Sequence, residues 1–310
     1  METFLHSVAS VAIILLLTAT GYFCAAKGWM HGSSKAFLSK FLMNIIIPCN
    51  CIYGIRGNLT KDMLIGAMPL LLSVFLSISL DFILAAALAR ILRLPRKRIG
   101  VFIQMCALSN TLFIGLPMCT ELFGNACTPY VMLFYFVSSV FTQTLSNALI
   151  RWSGDGEPFS GKMLLNFLKL PNTIALLVSF ALVLLDVQVP SLILSYTKYM
   201  SNAVTPLALL LTGYIIYEIG LKHLHIDRDL AVAMLFRFLL APLICYWLCT
   251  AFHIEGLALN VCMVQAAMPV VTQTVVASAE YGADEQFAAQ GAALSTLACF
   301  VVIPVLMMLL

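Results

Sequence analysis

The sequence predicts an all-α polytopic membrane protein of ten transmembrane helices, built as two inverted five-helix repeats, and three observations carry that prediction. Of the 310 residues, 62% are hydrophobic and only 10% charged, whereas soluble domains carry about 25% charged residues. The apolar residues gather into ten runs, each near the roughly 20 residues that cross a bilayer as a helix. Two separate segments also recur at one offset of 158 residues. The first two observations exclude a soluble enzyme and leave no room for a sizeable extramembrane domain, so function must lie inside the bundle and the lipid bilayer is its surroundings.

In chain order the first five spans are 4–26, 35–54, 63–91, 97–123 and 128–150. Span 4–26 has the apolar content of a signal peptide, but Glu2 and His6 stand where such a leader carries basic residues, so it is read as a retained helix 1. The second five are 163–185, 191–219, 228–252, 256–281 and 285–309. Between them lies the longest break, 151–162, whose Gly154, Asp155, Gly156 and Pro158 mark a linker. It separates a first repeat, 1–150, from a second, 163–310.

Because each half holds an odd number of spans, similar halves must be related by inverted topology, the organisation of many secondary transporters. The similarity is visible: Ser39-Lys40-Phe41-Leu42-Met43-Asn44 before Pro48 in helix 2 returns as Thr197-Lys198-Tyr199-Met200-Ser201-Asn202 before Pro206 in helix 7. The same offset lays Phe123-Gly124, closing helix 4, on Tyr281-Gly282, closing helix 9.

Of the 17 basic residues, twelve fall in or beside the odd-numbered connections: Lys27, Lys35, Arg90, Arg93, Arg96, Lys97, Arg98, Arg151, Lys162, Lys169, Lys222 and Arg228. Only Arg56 and Lys61 lie on the other face, and Lys40, Lys198 and Arg237 lie within helices. The positive-inside rule therefore places those basic loops, the linker included, in the cytoplasm and both termini outside. The formal net charge of +3 is small and dispersed, which sets aside nucleic acid as a partner.

Helix 4 carries Ser109-Asn110-Thr111 and then Gly115-Leu116-Pro117, and helix 9 carries Gln265, Pro269, Thr272, Gln273 and Thr274. A proline removes a backbone donor and frees the carbonyl four residues earlier. Lipid cannot solvate that carbonyl, so a broken helix must be buried or line a wet cavity. Broken helices at corresponding positions of inverted halves point to a midplane site where half-helix N-termini suit an anion; kinked but merely packed helices are the alternative. Helix 5 adds Ser139, Thr142, Gln143 and Ser146, a polar stripe at helical spacing that flanks such a cavity or serves as interhelical glue. Asn44 and Asn202 stand four residues before their prolines, giving helices 2 and 7 matched weak points.

Ionisable groups in the membrane interior are expensive and often mark ion paths. Asp81 in helix 3 and Arg237 in helix 8 are expected at similar depth, either as a structural pair or with Asp81 carrying a coupling proton. Lys40 and Lys198 read as snorkelling stems. The ten cysteines mostly fall in apolar runs without paired spacing and read as small buried hydrophobes. There is no H-E-x-x-H, G-x-S-x-G or glycine-rich phosphate loop. The His223 and His225 pair beside Asp227 is read as a solvated turn, so neither an enzyme, a metal nor a cofactor is expected. The Asn58-Leu59-Thr60 sequon falls on the outer face.

Ser109-Asn110-Thr111 followed by Gly115-Leu116-Pro117 and Phe123-Gly124 resembles the helix-4 signature of the auxin efflux carrier family. Ala267-Met268-Pro269 leading to Glu280-Tyr281-Gly282, Arg237-Phe238 with Pro242, and Thr205-Pro206-Leu207-Ala208-Leu209 with Gly213 match it further. The resemblance covers nearly the whole chain and implies that helices 4 and 9 cross at their breaks. It also implies a scaffold of helices 1, 2, 6 and 7, a transport domain of helices 3, 4, 5, 8, 9 and 10, and an elevator-like or rocking exchange between them. The cargo implied is a small organic carboxylate: indole-3-acetate for plant members, malonate, malate and similar acids for bacterial relatives. Asn110, Gly115, Pro117 and Pro269 carry over as crossover residues, and Thr111, Thr272, Gln273, Gln143 and Asn44 complete the expected substrate site. Gln273 stands where many bacterial relatives have asparagine and Thr274 where plant members have a second proline.

The short central loop makes the chain look like a bacterial inner-membrane relative. Sodium-coupled bile-acid transporters share the architecture, which keeps proton or sodium coupling open. A non-transporting membrane sensor is the competing class, and fold analogy points to a homodimer through the scaffold.

Overall fold

A computed structural model describes residues 2–154, 168–220 and 225–309. Most of the linker (155–162), the start of predicted helix 6 (163–167), Lys222 and His223 lie outside the described residues, as do the side chains of Arg56 and Asn58.

The described residues are helical, with a single isolated β-bridge between Ser109 and Val270. Helix α1 is Glu2–Ala26. Helices α2 (Gly32–Phe41) and α3 (Ile47–Asn58) run on through a π-helical turn, Leu42–Ile46. A short α4 (Lys61–Ile65), capped by the Thr60 hydroxyl, leads into α5 (Met68–Ile91). Helix α6 (Arg96–Ala107) stops, the chain runs extended, and a π turn at Thr111–Gly115 opens α7 (Leu116–Phe123). Helices α8 (Thr128–Phe141) and α9 (Asn147–Ser153) are joined by a π turn, Thr142–Ser146.

In the second half, α10 is Pro171–Leu184, and α11 (Ser191–Asn202) and α12 (Val204–Ile219) meet at Ala203. Helices α13 (Arg228–Leu235) and α14 (Ala241–Ala251) continue through a π turn, Phe236–Leu240. Then follow α15 (Gly256–Ala266), α16 (Gln273–Glu280) and α17 (Glu285–Met307). Three of the four π turns end two residues before a proline, Pro48, Pro117 or Pro242. A wider turn re-registers the carbonyls that the imino acid leaves without a donor.

Seven described helical segments are long and apolar enough to cross a membrane. Three further apolar segments, Thr111–Phe123, Thr173–Leu184 and Gly256–Ala266, are shorter. Two of these belong to the predicted helices 4 and 9, which are interrupted where the glycine and proline pattern requires it.

Helix α1 packs along α12 at backbone contact. A Cβ on Gly21 would lie 2.1 Å from the Leu210 carbonyl oxygen, and one on Gly213 would lie 1.9 Å from that of Thr18. Small residues of this kind let membrane helices approach closely enough for dispersion to hold them. One apolar cluster, with Ile14, Ile46, Leu116, Met132, Leu209 and Val264, joins α1, α3, α7, α8, α12 and α15. A second, with Val74, Phe82, Phe102, Phe236 and Phe287, joins α5, α6, α13 and α17. Leu16, Ile83, Trp247 and Val301 are exposed apolar side chains of the kind a bilayer would cover. Nine of the ten cysteines are buried free thiols and Cys24 is half-buried, in line with their reading as packing residues.

The ends of several helices are tied together on one face. Arg98 donates from Nη1 to Asp227 at 2.6 Å and Asp229 at 3.0 Å, and from Nε to Asp284 at 2.9 Å. Asp227 and Asp284 also cap α13 and α17 through Leu230 N and Phe287 N. One guanidinium thus clasps the first turns of α6, α13 and α17. Arg96 donates to the Trp152 carbonyl, Gly100 N donates to Ser153 Oγ, and Lys35 pairs with Glu218.

Candidate functional site

The two interrupted helices meet at their breaks. Asn110 N donates to the Pro269 carbonyl at 2.7 Å, and Val271 N reaches the Leu108 carbonyl at 3.4 Å, so the extended segments lie antiparallel across each other. Their backbone groups, which lipid could not satisfy, satisfy one another. Asn110 organises the junction. Its Oδ1 accepts from Phe113 N at 3.2 Å and caps the π turn, its carbonyl accepts from Gly115 N, and its Nδ2 donates to Thr272 Oγ1 at 3.0 Å.

Gly115 is set by close approach: a Cβ there would lie 2.4 Å from Gln265 Oε1. Gln265 is fully buried between the halves and donates to Cys119 Sγ at 3.4 Å. Pro117 is buried in the first turn of α7, and Pro269 supplies the carbonyl that receives Asn110. Gly115, Gln265, Pro117 and Pro269 build the crossing without lining the cavity beside it.

That cavity, of about 90 Å³, is lined by Ser109, Asn110 and Thr111 from the first break and by Val271, Thr272 and Gln273 from the second. Tyr135, Ser138, Ser139, Thr142 and Gln143 from α8 and its π turn face it, and Met43, Leu112 and Phe113 supply the apolar part. The predicted residues Asn110, Thr111, Thr272, Gln273 and Gln143 are therefore brought together. Asn44 is not: it is exposed and its Nδ2 donates to the Lys40 carbonyl of its own helix.

No lysine, arginine or acid lines this cavity, so its electrostatics come from dipoles. Helix α16 begins at Gln273, its cap residue Thr272 makes no capping bond from its side chain, and the helix presents its positive end here. Ser139 and Thr142 commit their hydroxyl protons to the Phe136 and Ser138 carbonyls. Among the donors left for a ligand are Thr272 Oγ, whose lone pair takes Asn110, the Gln143 amide, whose Oε1 takes Asn147 Nδ2, and the Gln273 amide, beside the hydroxyls of Ser109, Thr111 and Ser138. Tyr135 and Ser138 were not among the expected site residues, although Ser138 lies one helical turn before Thr142.

Asp81 and Arg237 are 3% and 1% exposed and form no direct ion pair. Of the two alternatives the sequence left open for them, the direct bridge is not formed, and Arg237 is held by other partners. Arg237 donates from Nη1 to the Cys106 carbonyl at 3.0 Å and from Nη2 to the Ala266 carbonyl. Those carbonyls close α6 and α15, the half-helices whose negative ends point into the crossing. A buried cation is the complement of two such ends. Lys40 and Lys198 are exposed, as snorkelling stems require. Among the described residues no group of three or more His, Cys, Asp or Glu side chains is disposed to hold a metal ion.

The model of one protein family, described as a membrane transport protein, matches residues 6–307. Over 292 residues the chain is 27% identical to an uncharacterized transporter of Methanocaldococcus jannaschii, covering 92% of this chain and 93% of that protein.

Proposed function

This chain belongs to the membrane transport protein family, that of the auxin efflux carriers, and we propose that it works as a secondary carrier of small organic anions by alternating access at the helix 4 and 9 crossing. One observation carries the reading: two helix breaks hydrogen-bonded to each other beside a polar cavity that opens on a half-helix N-terminus. A carboxylate placed there takes hydrogen bonds from Thr272, Gln143 and Gln273 and the field of the α16 dipole, a helix-terminus anion site in a low-dielectric setting. Malonate, malate and auxin-like acids are the substrates of this class to test first.

The ten-span, inverted-repeat plan is part of the proposal. The 158-residue offset supports it, as does the gathering of the odd-numbered connections around Arg98 and Lys35. With twelve basic residues on that face, it is assigned to the cytoplasm and both termini to the outside of a bacterial inner membrane. Movement of helices 3, 4, 5, 8, 9 and 10 against helices 1, 2, 6 and 7 is the exchange proposed. Asp81, beside the cation that caps the crossing, is the residue assigned to any proton coupling.

The test is ligand-dependent stabilisation of the purified protein by malonate, malate and indole-3-acetate. Saturable stabilisation by at least one of them, lost in Gln143→Ala, is expected. No response to any carboxylate would overturn the assignment of the cavity to organic anions. Binding without flux in proteoliposomes would favour a sensor.

A further inference from the structure

A second polar cavity, of about 430 Å³, has Leu116 among its lining residues. It is walled by α1, α3, the end of α7 and the α11–α12 break, so it sits between helices 1, 2 and 7 and the outer half of helix 4. Asn50, Glu121, Thr120, Asn125, Ser201 and Thr205 are among its lining residues. Two features mark it as more than a packing gap. Asn50 is 6% exposed, donates from Nδ2 to Ser201 Oγ at 2.7 Å, and keeps a buried Oδ1 that no protein donor meets. An unpaired acceptor buried in this way is costly. Glu121, half-buried, is the sole charged residue lining the cavity among the described residues.

We propose that this cavity is a monovalent-cation site, with Asn50 Oδ1 and Ser201 Oγ as oxygen ligands and the Glu121 carboxylate as counter-charge. Hard cations take oxygen ligands, and those of high charge collect several carboxylates. One carboxylate among neutral oxygens balances one positive charge, the charge of a monovalent ion. The ion would join α3 and α11 to the end of α7. The inference is independent of the anion reading, because no residue is shared between the two cavities.

The experiment measures Tm of the purified full-length protein against sodium, potassium, magnesium, calcium and choline chlorides at constant ionic strength. A saturable rise with sodium or potassium is expected, with apparent affinity weakened about tenfold or more in Asn50→Ala and in Glu121→Gln, the loss of one charge-assisted contact. Asn50→Asp, which adds a carboxylate at the orphaned oxygen, is expected to tighten it. Folding of each variant is checked by its Tm and elution profile in choline. An equal rise in choline, a response confined to divalent ions, no saturable response, or a sodium response unchanged in both weakening variants would each overturn the proposal.

Discussion

Gly115 is where the crossing is tightest, and a methyl group there tests the geometry directly. With an added Cβ 2.4 Å from the side-chain amide oxygen Oε1 of the buried Gln265, Gly115→Ala is expected to destabilise the protein by about 1–3 kcal/mol through overpacking. Gln265→Ala in the same chain should restore most of the loss in Tm; a single alanine variant of unchanged stability would contradict the close approach. A second residue-scale prediction separates donors from bystanders. Thr272→Val and Gln143→Ala should weaken carboxylate binding by roughly tenfold or more, the scale of a hydrogen bond to a charged group. Ser139→Ala and Thr142→Val should leave it nearly unchanged, since those protons already serve backbone carbonyls. Equal losses in all four titrations would remove the distinction. Asn110, Thr272, Gln143 and Gln273 are legible from sequence because a polar side chain beside a helix-breaking residue has few places to go in lipid. Asn44 satisfied the same rule, yet its amide turned back on its own helix, an i to i−4 alternative that composition does not reveal.

At the scale of elements, the half-helix ends decide which charges are needed. Arg237 binds the closing carbonyls of α6 and α15, so Arg237→Met leaves two buried acceptors without a donor and takes the cation away from the buried Asp81. A loss of roughly 3–5 kcal/mol is expected, and Asp81→Asn added to it should recover part of the stability; an Arg237→Met protein that melts like the wild type would refute the capping role. Sequence depth alone paired Arg237 with Asp81, because carbonyls freed by a helix break carry no letter in the sequence. The breaks themselves were readable from Pro117 and Pro269, whereas the π turns ahead of Pro48, Pro117 and Pro242 were not, since a proline can equally be met by a kink. The contact of α1 with α12 gives the matching test of packing. Gly213→Val places its Cβ against the Thr18 carbonyl, where a backbone atom cannot yield as a side-chain end could. It should lower Tm more than the same change at Gly57, beside which nothing lies within 4 Å.

For the whole molecule, apolar run length gave the all-helical membrane class, and the basic-loop bias and the repeat offset are what the proposed ten-span, inverted-repeat plan rests on. They could not give the pairing of the two breaks, because antiparallel contact between extended segments far apart in the chain leaves no periodicity. Orientation is open to a labelling test. Cysteine placed at Arg93 should react with a membrane-impermeant maleimide only from the cytoplasmic side, and cysteine at Asp186 only from outside. Both positions are left-handed turns between helices, and the native thiols are mostly buried. Reaction of both from one side would contradict the assigned topology.

The central claim is transport through the crossing, and the most direct measurement is flux of labelled malonate and indole-3-acetate into proteoliposomes, wild type beside Gln143→Ala, with and without an imposed pH gradient. Saturable uptake of at least one acid is predicted, with KM raised about tenfold or more in the variant. Non-saturable uptake equal to that of protein-free vesicles, or saturable uptake indifferent to Gln143, would contradict it.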